Sequence, residues 1–462
     1  MTRSPLDLEI SRAWLVDLAV GHEGPGEIVV RGGVLEAVNW LEGAEARGIK
    51  PDGVVVAPGF IDLHTHLREP GNEDAETVAT GLAAAAHGGF TTVCAMPNSE
   101  PALDEPGVLA RIRAAALAAG SPVELLAYGA VTVGRAGEQL AALGELADAG
   151  VVGFSEDGAP IRSAPILRSA LAYAGALGLP IVDHAEDASL TAGAEANDGF
   201  VATVLGLRGW PAAAEELAVA RDLAVLVDVL RDVPGARLHL THLSTASALD
   251  LIRRAKAAGL PVTCDVTPHH LALTDEWVAG ARRWAWEASG DPWADGALVT
   301  GPYATALRVN PPLRAPADAA ACLAALVDGT ADAVATDHAP HSEVDKAVEF
   351  GLAANGISGL ETALGVLLAA VDAGRLPLLR AIEALTTGPA AVIGGRLRRA
   401  SAGLVEGAPA DLVVFDRSES WTVTPDCLSS RGKNTPLLGM ELRGRVLLTV
   451  AGGRLAYEAA EG

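Results

Sequence analysis

At 462 residues the chain is long enough for one large barrel plus a smaller accessory domain. Its net charge of -24, from 34 Lys+Arg against 58 Asp+Glu, argues against a nucleic-acid or anionic-membrane surface, so an anionic ligand must be met by local positive charge. The four cysteines, Cys94, Cys264, Cys322 and Cys427, show no Cys-x-x-Cys spacing, which argues against a thiolate zinc cluster or a disulfide framework and fits a reduced, cytoplasmic interior.

The N-terminal stretch MTRSPLDLEI has no apolar signal core, and no run of about 18 apolar residues occurs anywhere, so no membrane span is expected. Residues 1–57 alternate short β-like runs, at 14–20, 27–30 and 34–38, with Gly-rich turns. Then a strand-and-helix rhythm sets in. Strands are predicted at 60–66, 91–96, 123–130, 151–155, 180–184, 237–243, 261–266 and 333–337, separated by Ala-rich helical stretches such as 76–87, 106–119 and 246–258. Eight strands with intervening helices point to an α/β fold, a (β/α)₈ TIM-like barrel over 58–399 whose chemistry gathers at the C-terminal strand ends. Residues 277–306 break the rhythm with four of the 8 tryptophans, and read as an elaborated loop that lies over the mouth or packs on the flank. From about Gly403 the β-like pattern returns, at 411–415, 445–450 and 453–457. Neither end has enough strands to stand alone, so 1–57 and 400–462 are expected to pair into one small composite β-sandwich domain.

The strand ends carry the chemistry. In VVVAPGFIDLHTH the first barrel strand ends on His64-Thr65-His66, and side chains at i and i+2 of a strand share a face. A lone His-x-His is weak evidence, since many such pairs are ordinary core or surface histidines. Here Glu156-Asp157, Asp183-His184-Ala185-Glu186, His239-Leu240-Thr241-His242 and Asp337-His338-Ala339-Pro340-His341 follow at other predicted strand ends. Imidazoles and carboxylates without thiolates are the donor set of Zn²⁺ or a similar divalent metal in a hydrolytic site. Each cluster alone could merely cap a helix or bond a loop; five at one barrel mouth argue for a metal.

On these residues the sequence resembles the dihydroorotases of the amidohydrolase superfamily, in their bacterial type I form with a bridging aspartate, over nearly the whole chain. The matching motifs are GFIDLHTHLREPG (59–71), MPN (96–98), FSEDG (154–158), DHAED (183–187), THLS (241–244), TPHHL (267–271), NPPLR (310–314), ATDHAPH (335–341), GISGLET (356–362) and NTPLLG (434–439). HLREPG with MPN and DHAPH separates this family from the related hydantoinases and allantoinases. The resemblance implies one or two Zn²⁺ per subunit, two being expected, with His64, His66 and Asp337 on one and His184 and His242 on the other. Many superfamily members bridge the metals with a carbamylated lysine, but FSEDG has none and this branch uses an aspartate. The family motif usually reads Phe-Thr-Asp-Asp-Gly, and its third position here is Glu156. Asp157 is taken as the bridge because it precedes His184 by the family's 27 positions, with its neighbour Glu156 as the alternative.

The implied activity is the reversible, zinc-dependent closure of N-carbamoyl-L-aspartate to (S)-dihydroorotate and water, the third step of de novo pyrimidine synthesis. Asp337 would act as general base and then acid. Arg68 can offer a bidentate fork to the substrate carboxylate, a job that Asn98 and His341 match family positions for sharing. Asn310 and the backbone around Phe350 and Gly351 match ring-contacting positions. The bland alternative for Arg68 is a surface salt bridge with Glu69. His22 and His87 lie outside the clusters, His239 faces away from His242, and His269, His270 and His338 read as structural or supporting. Two rival readings are weighed. Another cyclic amidase, allantoinase or hydantoinase, has no use for Arg68 paired with Asn98. A silent dihydroorotase-like scaffold for aspartate transcarbamoylase typically loses metal ligands, all of which are present. The expected partners are the small-molecule substrate, further copies of the chain in a homo-oligomer and, for an active enzyme too, an aspartate transcarbamoylase complex, with no nucleic acid or membrane.

Overall fold

Val54–Pro58 is the strand at which the two ends of the chain meet. In the computed structural model, which describes residues 5–397 and 403–460, it pairs in parallel with Leu8–Asp17, through Trp14 and Val55, and antiparallel with Leu412–Thr422, through Ala57 and Val413. Outward from there lie His22–Arg31 and Val34–Trp40 on one side and Glu441–Ala451 and Arg454–Glu458 on the other, giving a seven-stranded sheet. Where a small sandwich was expected, both ends thus bond into a single sheet. Its apolar residues alternate as the pleat demands, and Leu15, Ile28, Val30, Val56, Leu412 and Val414 form one buried cluster. The expected boundary at 399–400 lies outside the described residues.

Gly59 turns the chain from this sheet into the first parallel strand, Phe60–Thr65. A Cβ at Gly59 would stand 2.3 Å from the Thr91 side chain, so only glycine lets the two segments pass.

The parallel strands fall where the sequence pattern puts them. Phe60–Thr65, Phe90–Ala95 and Glu124–Ala127 form one sheet; Gly129–Ala130, Phe154–Ser155, Ile181–His184, Leu238–Thr241, Val262–Val266 and Ala333–Val334 form a second. The ladders therefore trace two parallel sheets rather than one closed ring. The break has a local cause: Tyr128 N bonds Ala95 O, while the next residue, Gly129, has switched to Gly153 O. At the other edge the strands are very short, yet His66 N donates to His338 O at 2.8 Å, beside a single parallel bridge from Thr65 to His338. Helices such as Val78–His87, Ala213–Val229 and Ala246–Ala257 cover the strands. Their Ala- and Leu-rich faces join Phe60, Phe90, Val93, Phe154 and Ile181 in the main core, while Ile61, Leu63, Cys94, Met96 and Val182 make a separate cluster.

In the tryptophan-rich segment Trp277 is fully buried and donates from Nε1 to Arg283 O at 2.7 Å. Trp284 and Trp286 stack at 5.6 Å, and Trp286 lines a groove against Pro316 and Leu323 on the outer helix Pro316–Asp328. The stacked pair thus sits on the flank. At its downstream end Lys346 Nζ donates to Thr305 O at 3.2 Å and, just beyond the segment, to Arg308 O at 3.3 Å.

Candidate metal centre

The strand ends bring four imidazoles and two carboxylates to one buried cluster. His64 Nε2 lies 3.2 Å from His66 Nε2, and His184 Nδ1 lies 3.0 Å from His242 Nε2. Asp157 stands between the pairs. Its Oδ2 is 3.1 Å from His64 Nε2 and 3.4 Å from His66 Nε2, while its Oδ1 is 3.2 Å from His242 Nε2 and 3.5 Å from His184 Nδ1. Asp337 Oδ1 adds to the first pair, at 3.2 Å from His66 Nε2 and 3.4 Å from His64 Nε2. Glu156 is turned away: its carboxylate accepts from Thr132 N and its carbonyl from Arg135.

The outer nitrogens explain why the inner ones converge. Thr241 Oγ1 donates to Asp265 and so accepts from His64 Nδ1–H at 2.8 Å. Asn98 Oδ1 accepts from His66 Nδ1–H at 2.9 Å, and Glu186 Oε2 from His184 Nε2–H at 2.8 Å. An imidazole whose proton is fixed on one nitrogen presents a lone pair on the other. Three lone pairs therefore face two carboxylates, an arrangement that repels itself unless a cation or protons lie among them. Two overlapping ligand groups result, His64 with Asp157 and His242, and His64 with His66 and Asp337. The donor set fits a divalent metal.

Electrostatics give the same picture. Burial opposes charge on His64 and His184, but Asp157 and its fellow carboxylates overcome it and hold these imidazoles up to about 9 and about 10. Burial likewise opposes ionisation of Asp157 and Asp337, yet the histidines keep both carboxylates well below their ordinary range. The backbone is strained here: Arg68, His242 and Asp337 have φ of 59°, 42° and 47°, at a cost of about 1–3 kcal/mol each that surrounding contacts must over-determine.

Above the cluster opens a cavity of about 200 Å³ lined by Arg68, Asn98, Asn310, Asn355 and Gly356 as well as site histidines. Arg68 Nε donates to Pro340 O at 3.2 Å, and no described carboxylate lies within ion-pair range of Arg68. Its sequence-level rival partner, Glu69, instead accepts from Val78 N at the start of a helix. His341 Nε2 lies 2.7 Å from Asn355 O and 3.3 Å from Arg68 Nη2. The carbonyl can only accept, so Nε2 carries the proton. Burial and the adjacent Arg68 push His341 down to about 3, leaving it neutral. Asn310 donates from Nδ2 to Glu186 at 3.0 Å, while its buried Oδ1 has no partner.

Phe350 and Gly351 do not line this cavity. Phe350 is buried beside Tyr303 in a second apolar cluster, and Gly351 backs onto Glu195. Asn355 and Gly356, further along the same loop, take the wall position. The remaining histidines lie apart: His239 bonds Asp265 and Thr263, His270 bonds Pro311 O, and His338 meets Glu76.

With this geometry in view, comparison with known proteins is decisive. A family model described as dihydro-orotase-like matches residues 53–248. The dihydroorotase of Anaeromyxobacter dehalogenans strain 2CP-1 is 47% identical over 450 residues, covering 96% of both chains. The chain belongs to the dihydroorotase family. A second dihydroorotase, from Pelotomaculum thermopropionicum, is 42% identical and covers 98% of this chain and 99% of its own. Among solved structures, an L-hydantoinase (dihydropyrimidinase) from Arthrobacter aurescens aligns over 98% of this chain and 97% of that one, with a TM-score of 0.79 at 24% identity. A dihydropyrimidinase from Brevibacillus agri NCHU1002 aligns with a TM-score of 0.74 at 21% identity, covering 98% and 95%. These structures share the fold of this dihydroorotase family member.

Proposed function

We propose that the chain is a dihydroorotase that interconverts (S)-dihydroorotate and N-carbamoyl-L-aspartate in pyrimidine synthesis. The observation that carries the reading is one cavity in which an arginine with no carboxylate partner among the described residues faces a two-lobed set of metal donors. In this reading the metal is zinc, two ions per subunit, with Asp157 as the bridge, His64, His66 and Asp337 on one side and His184 and His242 on the other. When bound, such ions supply Lewis acidity and bring a water's pKa towards about 7.

The chain's own groups do the rest. Arg68 takes the substrate carboxylate on its terminal nitrogens. Asn98, its oxygen spent on His66, offers Nδ2 to the same ligand, and neutral His341 backs the arginine. The unpartnered Oδ1 of Asn310 accepts from a ring N–H. Asp337 takes the proton of the attacking water and returns it to the departing ring nitrogen. Phe350 and Gly351 act here by shaping the loop that presents Asn355.

The reading extends to a full (β/α)₈ barrel over 58–399, supported by the His66–His338 bond between the two sheets, and to a β domain from 1–57 and 400–462. It also includes a homo-oligomer, with an aspartate transcarbamoylase complex open to it, and a cytoplasmic location, in keeping with free cysteines and no described helix long and apolar enough to cross a membrane.

Asp337→Asn tests the role assignment. It is expected to keep bound metal while kcat for dihydroorotate falls by roughly 10²–10⁴, the range for losing a general acid–base. Near-normal turnover would remove Asp337 from the reaction.

A further inference from the structure

The C-terminal motif Asn434-Thr435-Pro436 has no part in the chemistry above, yet Asn434 commits its whole carboxamide at the cavity wall. Its Oδ1 accepts from His341 N at 2.8 Å and from Ser358 Oγ at 3.0 Å. Its Nδ2 donates to Ala339 O at 3.1 Å and Gly356 O at 2.9 Å. These four groups belong to the two turns that wall the cavity, the one leaving the last parallel strand and the one through Asn355 and Gly356. Asn434 itself is buried and does not line the cavity.

The same turn is pressed from a second point. A Cβ at Gly432 would stand 2.7 Å from Pro340 Cβ and 2.8 Å from His341 N. Upstream, Ser430 Oγ donates to Glu76 Oε2 at 2.6 Å, which ties the segment to the buried residue just before the helix Val78–His87. Arg68 hangs from this frame. Its Nε bonds Pro340 O, between Ala339 and His341, the two residues that Asn434 holds. His341 in turn bonds Asn355 O, next to Gly356, which Asn434 also holds. Only a carboxamide offers two acceptor sites and two donors on one planar group. An aspartate would turn a carboxylate oxygen against two carbonyls, and an apolar residue would take this partner from His341 N, Ala339 O and Gly356 O.

We propose that Asn434 is a positioning residue for the substrate-carboxylate site. Through Pro340 and His341 it fixes where Arg68 presents its terminal nitrogens, without touching substrate. The inference rests on the reading of Arg68 as the carboxylate's partner.

The test is a double-mutant cycle on the full-length protein, with kcat and KM for dihydroorotate and bound metal measured for Asn434→Ala, Arg68→Ala and the pair. Asn434→Ala is expected to raise KM on the order of tenfold while kcat and metal content stay within about twofold. In the Arg68→Ala background the same change is expected to move KM by less than about twofold, because its route of action is gone. An unchanged KM in Asn434→Ala, a loss confined to kcat, or an equal rise in both backgrounds would overturn the proposal. If Arg68→Ala itself leaves KM unchanged, the carboxylate reading fails, and this inference with it. Should Asn434→Ala not fold, Gly432→Ala, which displaces the same turn without removing a hydrogen bond, must give the same pattern, and an additive result there would equally refute it.

Discussion

Each of His64, His66 and His184 is held from behind by an oxygen, and its inner nitrogen can then take either a proton or a metal. In the metal-free chain the carboxylates keep His64 and His184 protonated up to about 9 and about 10. The sign follows directly: a protonated imidazole cannot ligate, so metal must displace those protons, and affinity rises with pH until they leave unaided. At pH 7 metal uptake is expected to release about two protons per chain, read by calorimetry in buffers of different ionisation enthalpy. Uptake without proton release would contradict the electrostatic picture. At this scale the candidate ligands were legible because His64, His66, Asp157, His184, His242 and Asp337 all sit at or just beyond predicted strand ends. Their supports were not. Nothing in the local pattern around Asn98 or Thr241 says that each grips an imidazole, since those partners are 32 and 177 residues away and meet only in the fold.

Elements place these side chains more by their ends than by their interiors. The last parallel strand is two residues long, Ala333–Val334, yet Asp337 beyond it is fixed by a positive φ and by His338 bonding back to the first strand. The tryptophan segment works differently, as a packed unit on the flank. Trp277→Ala removes a fully buried ring and is expected to cost about 3–5 kcal/mol of stability, seen as a lowered thermal midpoint with bound metal per chain unchanged. An unchanged midpoint would show that the segment does not depend on this anchor. The strand-and-helix alternation was readable because apolar runs and Ala-rich stretches differ in period. Loop geometry was not: the family resemblance implied ring contacts from the backbone around Phe350 and Gly351, but the turn at Phe350–Leu352 buries the Phe350 ring and Asn355 and Gly356 line the cavity. Sheet closure was also beyond sequence, because it depends on which strand's carbonyl each N–H around Tyr128 selects.

The whole molecule ties its two ends together at Val54–Pro58 and sends the C-terminal segment back to the cavity through Ser430, Gly432 and Asn434. That return braces the turn to which Arg68 bonds, so a chain with a net charge of -24 still carries a local positive charge at the cavity wall. The most direct test is turnover of dihydroorotate by the purified protein, beside hydantoin and allantoin, with the metal content of the same sample determined. Ring opening of dihydroorotate alone, lost on chelation and restored by zinc, is the expected result. Turnover of hydantoin or allantoin instead would make the protein a different cyclic amidase, and bound zinc with no turnover of any of the three, even with aspartate transcarbamoylase added, would make it a silent scaffold.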